Sequence, residues 1–219
     1  YGISTLGLVL VAFGVGLSIK SNLGISPPSC PPTILNLRFT SISVGSFTWI
    51  FHIVLIAIQA IILRKDFKPR YLMQIPAAFV FGYLCDAFIW MFDAIQSPAT
   101  DYMVQMALCL VSIPITAVGI GLEVVGDGWI LAGDKTVDVL ARVTMMPFGR
   151  MKIIADVAFV VLTAIIAWLS FGLLTGNGTT VVIREGTLIL AIFTGLCMRV
   201  TDPLIIKDFG RFVKKYQDD

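Results

Sequence analysis

Asp86, Glu123, Asp156 and Arg199 fall within or at the edge of long apolar stretches of this 219-residue chain. A charge at the centre of a bilayer costs roughly 2.5 to 3.5 kcal/mol even on the mildest insertion scale, so such residues are kept for pairing or for function. Glu123 and Asp127 form a carboxylate pair at the end of one apolar stretch, suited to holding a cation or carrying a coupling proton. Asp127, set between Gly126 and Gly128, equally suits a turn. Asp86 and Arg199 occupy corresponding places in the two halves of the chain and serve either as a structural ion pair or as ligand contacts. His52 is the single histidine and lies inside a further apolar stretch, as a hydrogen-bonding group between helices or as a proton relay.

A second set of polar residues gathers in two stretches that cannot be regular helix. Lys20, Asn22, Ser26 and Ser29 flank or precede the four prolines Pro27, Pro28, Pro31 and Pro32. Proline has no backbone donor and biases the residue before it toward extended geometry, so the chain must break there, and Pro31 or Pro32 then opens a short helix. The later stretch carries Asp127, Trp129, Asp134, Lys135 and Asp138, with Gly126, Gly128 and Gly133 as breakers. Asp134 is expected to cap a short helix running through Arg142. All of these are candidate solute-binding residues. Lys20 and Lys135 would neutralise carboxylates, although Lys20 can also snorkel to an interface, and Trp129 is either a cavity wall or an interfacial anchor. This mixture of charges favours a small zwitterion or polar metabolite over a bare metal ion.

Other chemistries are excluded or disfavoured. Cys30, Cys85, Cys109 and Cys197 are scattered without a C-x-x-C pair, and a lone histidine removes the H-E-x-x-H arrangement. No metal site, cofactor or catalytic nucleophile-base set is expected, so the chain is not read as an enzyme. No basic stripe with interleaved aromatics suggests nucleic acid.

The elements that must position these residues are membrane spans. With 57% hydrophobic and 14% charged residues and a mean hydropathy of +0.91, too little polar surface remains to solvate a soluble domain of this size. Uncharged runs cover Gly2 to Ile19, Phe39 to Leu63, Tyr102 to Leu122 and Val157 to Ile183, and a span needs about 20 apolar residues. Two more spans, Tyr71 to Phe92 and Gly186 to Ile206, enclose Asp86 and Arg199. The prediction is an all-α polytopic membrane protein with six transmembrane helices in one domain over residues 1–219, in contact with the lipid bilayer. Basic residues cluster at 64–70, at 135–152 and at 207–215, against only Lys20, Arg38 and Arg184 on the other side. The positive-inside rule then places both termini in the cytoplasm of a cell whose inner membrane holds the chain, with 207–219 as a cytoplasmic tail. The chain opens at Tyr1 without an initiator Met, so residues are expected to precede it.

The halves also match one another. Gly14-Val15-Gly16-Leu17 corresponds to Gly119-Ile120-Gly121-Leu122 at an offset of 105, which sets Asn22 against Asp127 and Ser29 against Asp134. Val44-Gly45-Ser46-Phe47 meets Phe148-Gly149-Arg150-Met151 at an offset of 104, which sets His52 against Asp156. Gly82-Tyr83-Leu84-Cys85 matches Gly195-Leu196-Cys197-Met198 if the second half has gained about nine residues. Repeat one spans about 1–95 and repeat two about 102–206. An odd number of crossings per unit inverts the second copy, and inverted repeats with broken segments at equivalent places point to a transporter site between them. Each broken segment is either re-entrant or an interfacial loop at the membrane surface.

The run Gly14-x-Gly16, then Asn22-Leu23-Gly24-Ile25-Ser26-Pro27, then Ser43-Val44-Gly45 resembles the YczE, YyaS and YitT type of small bacterial integral membrane proteins. In the YczE-like pattern a Trp-Asp pair commonly follows the proline, whereas this chain has Pro28-Ser29, so a charged role at that position does not carry over. The resemblance implies the membrane fold and little chemistry. The expected function is an alternating-access secondary transporter of a small organic solute, coupled to protons or Na⁺. Its alternatives are a solute-binding membrane subunit that needs an energising partner and a non-transporting assembly or regulatory protein. The helix faces leave room for a protein partner or a homo-oligomer.

Overall fold

The computed structural model describes residues 2–95, 101–126, 130–146, 148–177, 180–194 and 196–197. Regular structure among them is helical, apart from one isolated bridge between Gly176 and Val181. The helices are α1 (Gly2–Ser21), α2 (Cys30–Arg38), α3 (Val44–Leu63), α4 (Gln74–Ile95), α5 (Tyr102–Gly126), α6 (Ala132–Val143), α7 (Phe148–Phe171) and the shorter α8 (Glu185–Thr194). Five of these, α1, α3, α4, α5 and α7, are long and apolar enough to cross a membrane. The sixth expected span begins as α8, while its remainder, Arg199 and the tail 207–219 lie outside the described residues.

Local chemistry sets the boundaries. Helix α1 ends where Asn22 turns to a φ of 52°, the left-handed conformation that asparagine tolerates after a helix C-terminus. Pro27 and Pro28 form a single 3₁₀ turn, and Pro31 and Pro32 occupy the first turn of α2, where no amide donor is needed. Ser43 caps α3 by accepting the Ser46 amide at 3.1 Å. The uncharged run from Phe39 therefore overstates this helix by five residues at its start, because residues 39–43 are spent on the connection from α2.

A larger correction concerns α7. The uncharged run predicts a span over Val157 to Ile183, but the helix starts at Phe148 and stops at Phe171, where Gly172 takes a φ of 71°. Lys152 and Asp156 are admitted into the helix because they are ion-paired there. The apolar residues after Gly172 belong to a returning loop, in which Val182 is fully buried against Ile25, Cys30 and Ile34.

Small residues let the central helices approach. Helix α1 lies along α5, with Leu8, Val11, Ala12 and Val15 packed on Ala117 and Ile120, and on Phe81 and Cys85 of α4. A methyl group added to Gly7 would lie 2.6 Å from the Gly119 carbonyl oxygen, and one added to Gly14 would lie 3.3 Å from that of Ser112. Contacts that climb α1 thus descend α5, so the two helices are antiparallel. A second core joins Leu55 and Ile56 of α3, Val137 and Ala141 of α6, and Met151 and Phe159 of α7. Ile61, Tyr83, Trp90, Met103, Trp168 and Leu169 stay more than half exposed. Those outward apolar faces are what a chain solvated by lipid presents, and the fold is that of an all-helical multi-pass membrane protein.

Polar groups tie the short helices to the long ones. Gln59 of α3 is fully buried and its amide nitrogen donates to Gln74 at 3.1 Å and to Thr136 at 2.9 Å, while Gln74 donates back to Gln59 at 3.0 Å. Removing one partner leaves buried polar groups unsatisfied, each worth about 1–3 kcal/mol. Gln59→Leu is therefore expected to lower the thermal midpoint in detergent by several degrees. An unchanged midpoint in Gln59→Leu would remove this network from the account of how α6 is held.

Candidate functional site

The two broken segments meet at one place. Pro28 of the first and Gly133 of the second face each other closely enough that a methyl on Gly133 would lie 3.9 Å from Pro28 Cβ. Around this junction lies a cavity of about 60 Å³. Its floor and walls are apolar, from Val11 and Val15 of α1, Phe81 of α4, and Ile120 of α5. Its polar lining comes from Ser26 and Ser29 before α2, Thr48 and His52 of α3, Asp134 of α6, and Lys152 and Asp156 of α7. Thr116 of α5 and Thr194 of α8 complete it.

Each broken segment is anchored by backbone and side-chain bonds rather than left as free loop. The Ile25 amide donates to the Val182 carbonyl at 3.2 Å, and the Gly186 amide donates to that of Leu23 at 2.8 Å. The Thr187 hydroxyl accepts from Ile25 at 3.2 Å and donates to the Val182 carbonyl at 3.2 Å. On the other side Gln59 donates to the Ala132 carbonyl at 3.3 Å. Helix α6 begins at Ala132, with Leu131 in the cap position, so Asp134 stands inside the first turn and not at the cap that sequence predicts. A carboxylate there is favoured by the positive end of the helix dipole.

The charged half of the cavity is a bridged triad. Lys152 Nζ lies 3.0 Å from Asp134 Oδ1 and 3.3 Å from Asp156 Oδ1. The Asp156 contact is ionic proximity without a well-directed hydrogen bond, since that oxygen has no hydrogen-bond partner among the described residues. His52 is buried, stacked on Phe81 at 5.6 Å between ring centroids, and its Nδ1 also lacks a partner. Buried polar atoms are nearly all hydrogen-bonded in native proteins, so two orphans on one cavity wall point to an occupant.

Glu123 sits beside this site rather than in it. Its Oε2 accepts the Leu131 amide at 3.2 Å, just ahead of α6, while Oε1 is buried with no hydrogen-bond partner among the described residues. Its side chain packs under Gly7, whose added methyl would lie 3.0 Å from Glu123 Cγ. Asp127 and Trp129, its expected neighbours, lie outside the described residues.

The remaining candidates are placed elsewhere. Lys20 pairs with Asp93 at 2.9 Å. Asn22 is the left-handed residue after α1, and its carbonyl accepts from Arg184 at 3.2 Å. Lys135 pairs with Asp138 at 2.9 Å and lies over the Tyr71 ring at 5.6 Å, and Asp138 also accepts from Arg142 at 2.9 Å. Burial pushes the Asp138 carboxyl up, but the hydrogen bonds from Lys135 and Arg142 outweigh it and hold the group below the usual carboxylate range. Asp86 accepts from the Gly45 amide at 2.7 Å and from the Ser43 hydroxyl at 2.5 Å, so it closes the start of α3 against α4. Its suggested partner Arg199 is outside the described residues.

Lys152, Thr48 and Thr116 are site residues that sequence reasoning missed. Lys152 counts there as one of the basic loop residues, yet it lies four residues before Asp156 on one helix face, the spacing at which opposite charges meet. That spacing is the signal that marks it. Among the described residues no cluster of three or more potential metal ligands occurs.

Fold and cavity together define a multi-pass helical membrane protein with an internal, charge-bearing solute-sized chamber. The chain belongs to a family described as a family of unknown function, DUF6198, whose pattern matches residues 1–203. It is similar to the uncharacterized protein YyaS of Bacillus subtilis (strain 168), with 29% identity over 128 residues that make up 58% of this chain and 55% of YyaS. The chain therefore spans about half the length of that curated relative, and the resemblance to YyaS-type proteins is borne out. No solved structure matches the chain.

Proposed function

We propose that the protein is an alternating-access secondary transporter of a small organic solute, built as two inverted three-helix repeats and coupled to protons or Na⁺. The observation that carries this reading is the composition of the cavity wall. Ser29, Thr48 and His52 of the first half and Asp134, Lys152 and Asp156 of the second all line it, and they are the same positions at offsets of 105, 104 and 104. A site assembled from equivalent positions of two units, at broken helices, is the arrangement that lets the units exchange roles across a membrane.

Helix contacts support the same relation. Under the offset of 105, the approach of Gly7 to Gly119 exchanges with that of Gly14 to Ser112, and the approach of Val11 to Gly119 with that of Gly14 to Thr116. The Pro28 and Gly133 contact maps onto itself, so it would lie on the pseudo-twofold axis at the cavity. The sixth span of this arrangement is the stretch expected over Gly186 to Ile206, of which α8 is the described part. Arg64, Lys65, Lys68, Arg142 and Arg150 stay on the side that the positive-inside rule assigns to the cytoplasm, with both termini, in the inner membrane.

Coupling falls to Glu123 and Asp156. Glu123 receives its only described donor from Leu131, at the start of the broken segment, so motion of that segment changes the carboxyl's bonding. Asp156→Asn and Glu123→Gln are each expected to abolish solute uptake into proteoliposomes by at least about tenfold, the loss that follows when a charge-assisted contact is removed. Normal insertion, checked by size-exclusion profile, accompanies that loss. Undiminished uptake in both variants would sink carboxylate coupling. Tight solute binding with no uptake by the wild-type protein would instead support a binding subunit that needs an energising partner.

A further inference from the structure

We infer that the cavity takes a small primary ammonium compound, with the cationic end held by Asp156 and the polar end by Ser29 and Thr48. This rests on reading the chamber as a solute site and names its substrate class.

Charge is the first argument. Two carboxylates share a single ammonium, that of Lys152, at 3.0 and 3.3 Å, so the chamber carries one uncompensated negative charge when its imidazole is neutral. A buried charge is tolerated only when paired. A monovalent cation completes the balance, whereas an anion doubles the excess and a zwitterion leaves it unchanged.

Hydrogen bonding is the second argument, and it is independent of the charge count. Among the described residues no well-directed hydrogen bond reaches Asp156 Oδ1, which has only the ionic contact with Lys152, and none reaches His52 Nδ1, on residues 5% and 4% exposed. With the imidazole proton on Nε2 both are acceptors, and a ligand that brings donors satisfies both. A primary ammonium offers three N–H donors and no acceptor. Lys152 already shows that geometry in miniature, and a ligand ammonium taking Asp156 leaves Lys152 to Asp134.

Size and wall chemistry separate an organic amine from a bare ion. A volume of about 60 Å³, at roughly 10–15 Å³ for each water-sized occupant, suits about four to six non-hydrogen atoms. Na⁺ prefers a complete shell of oxygens, whereas here the serine, threonine and aspartate oxygens share the wall with a ring nitrogen and with the hydrocarbon of Val11, Val15, Phe81 and Ile120, against which an alkyl chain packs. Ethanolamine has the right size, charge and polar end.

The test uses the purified full chain in sodium-free buffer, with thermal stability and calorimetry against ethanolamine, β-alanine, propionate and NaCl at equal concentrations. Saturable stabilisation by ethanolamine, weaker stabilisation by β-alanine and none by propionate is the expected result. Asp156→Asn is expected to weaken ethanolamine binding by at least about tenfold, while Asp138→Asn, outside the chamber, leaves it unchanged. Preference for propionate, response to NaCl alone, or response to no probe overturns the inference, and the wild-type selectivity decides even if a variant fails to fold. Ethanolamine binding without counterflow in proteoliposomes would sink the transporter reading and spare the ammonium site. Counterflow of an anionic solute would do the reverse.

Discussion

Gly119→Leu is expected to leave little or no monodisperse protein after detergent extraction, with a cost at or above about 3 kcal/mol, the upper end for overpacking in a close-packed interior. Already a single methyl on Gly119 would lie 2.7 Å from Val11 Cγ2 and 2.9 Å from the Gly7 carbonyl oxygen. The second of these neighbours is backbone, which cannot swing aside as a side chain can, so α1 and α5 must part. Small residues matter more here than in water, because lipid chains are as apolar as leucine and helix association rests on close packing. For a chain of this size each kcal/mol moves the thermal midpoint by roughly 2–4 °C. Gly119→Ala should therefore show a smaller shift in the same direction, and Gly2→Leu, with nothing within 4 Å of its position, should show none. A Gly119→Leu protein that elutes and melts like the parent would mean that the α1 and α5 contact does not hold the fold.

Much of the fold is legible in the sequence because its solvent is. A bilayer demands long apolar helices, and the uncharged runs mark α1, α3 and α5 to within a few residues at most of their ends. The run rule fails at α7, for a physical reason. It treats Arg150, Lys152 and Asp156 as excluded from the helix, whereas Lys152 is paired there with Asp156 and with Asp134 of α6. It also counts Leu173 to Ile183 as span, although the described residues of that stretch lie outside any helix and a bridge joins Gly176 to Val181. Charge pairing is a tertiary fact, and no window of hydropathy contains it.

The site was legible where it depends on chain breaks and obscure where it depends on side-chain direction. Proline and glycine punctuation locates the segments around Ser26, Ser29 and Asp134, and these residues do reach the cavity. Lys20, Lys135 and Asp138 belong to the same segments by position, but Lys20 is paired with Asp93, and Lys135 and Asp138 with each other, Asp138 also with Arg142. Asp86, an intramembrane carboxylate on the rule of cost, is spent on two donors at the start of α3. The offset of 104 that sets His52 against Asp156 also sets Thr48 against Lys152. Following it one helical turn back finds Thr48 and Lys152, two of the three missed residues, since the cavity wall follows the repeat and not the local composition.

Lys152→Met is the variant in which the site's electrostatics should speak most loudly. It keeps the length and volume of the side chain but removes the one cation that lies between Asp134 and Asp156, both of them largely buried. Breaking a buried ion pair by removing one partner costs about 3–5 kcal/mol, because the other charge stays behind uncompensated. Here two carboxylates stay behind, which places the expected loss at the top of that range and the drop in thermal midpoint near 10–20 °C. Replacing the whole cluster is a different matter. The triple variant Lys152→Met, Asp134→Asn, Asp156→Asn has no charge left to strand, and buried ionic clusters exchanged for neutral groups of similar volume are often neutral in stability. It is expected to recover most of the lost midpoint while remaining unable to bind ethanolamine. Recovery of stability without recovery of binding is the pattern that a functional charge cluster predicts. If the single variant is as stable as the parent, Lys152 is not the counter-ion that ties α6 to α7. If the triple variant still binds the amine, recognition does not pass through Asp134 and Asp156.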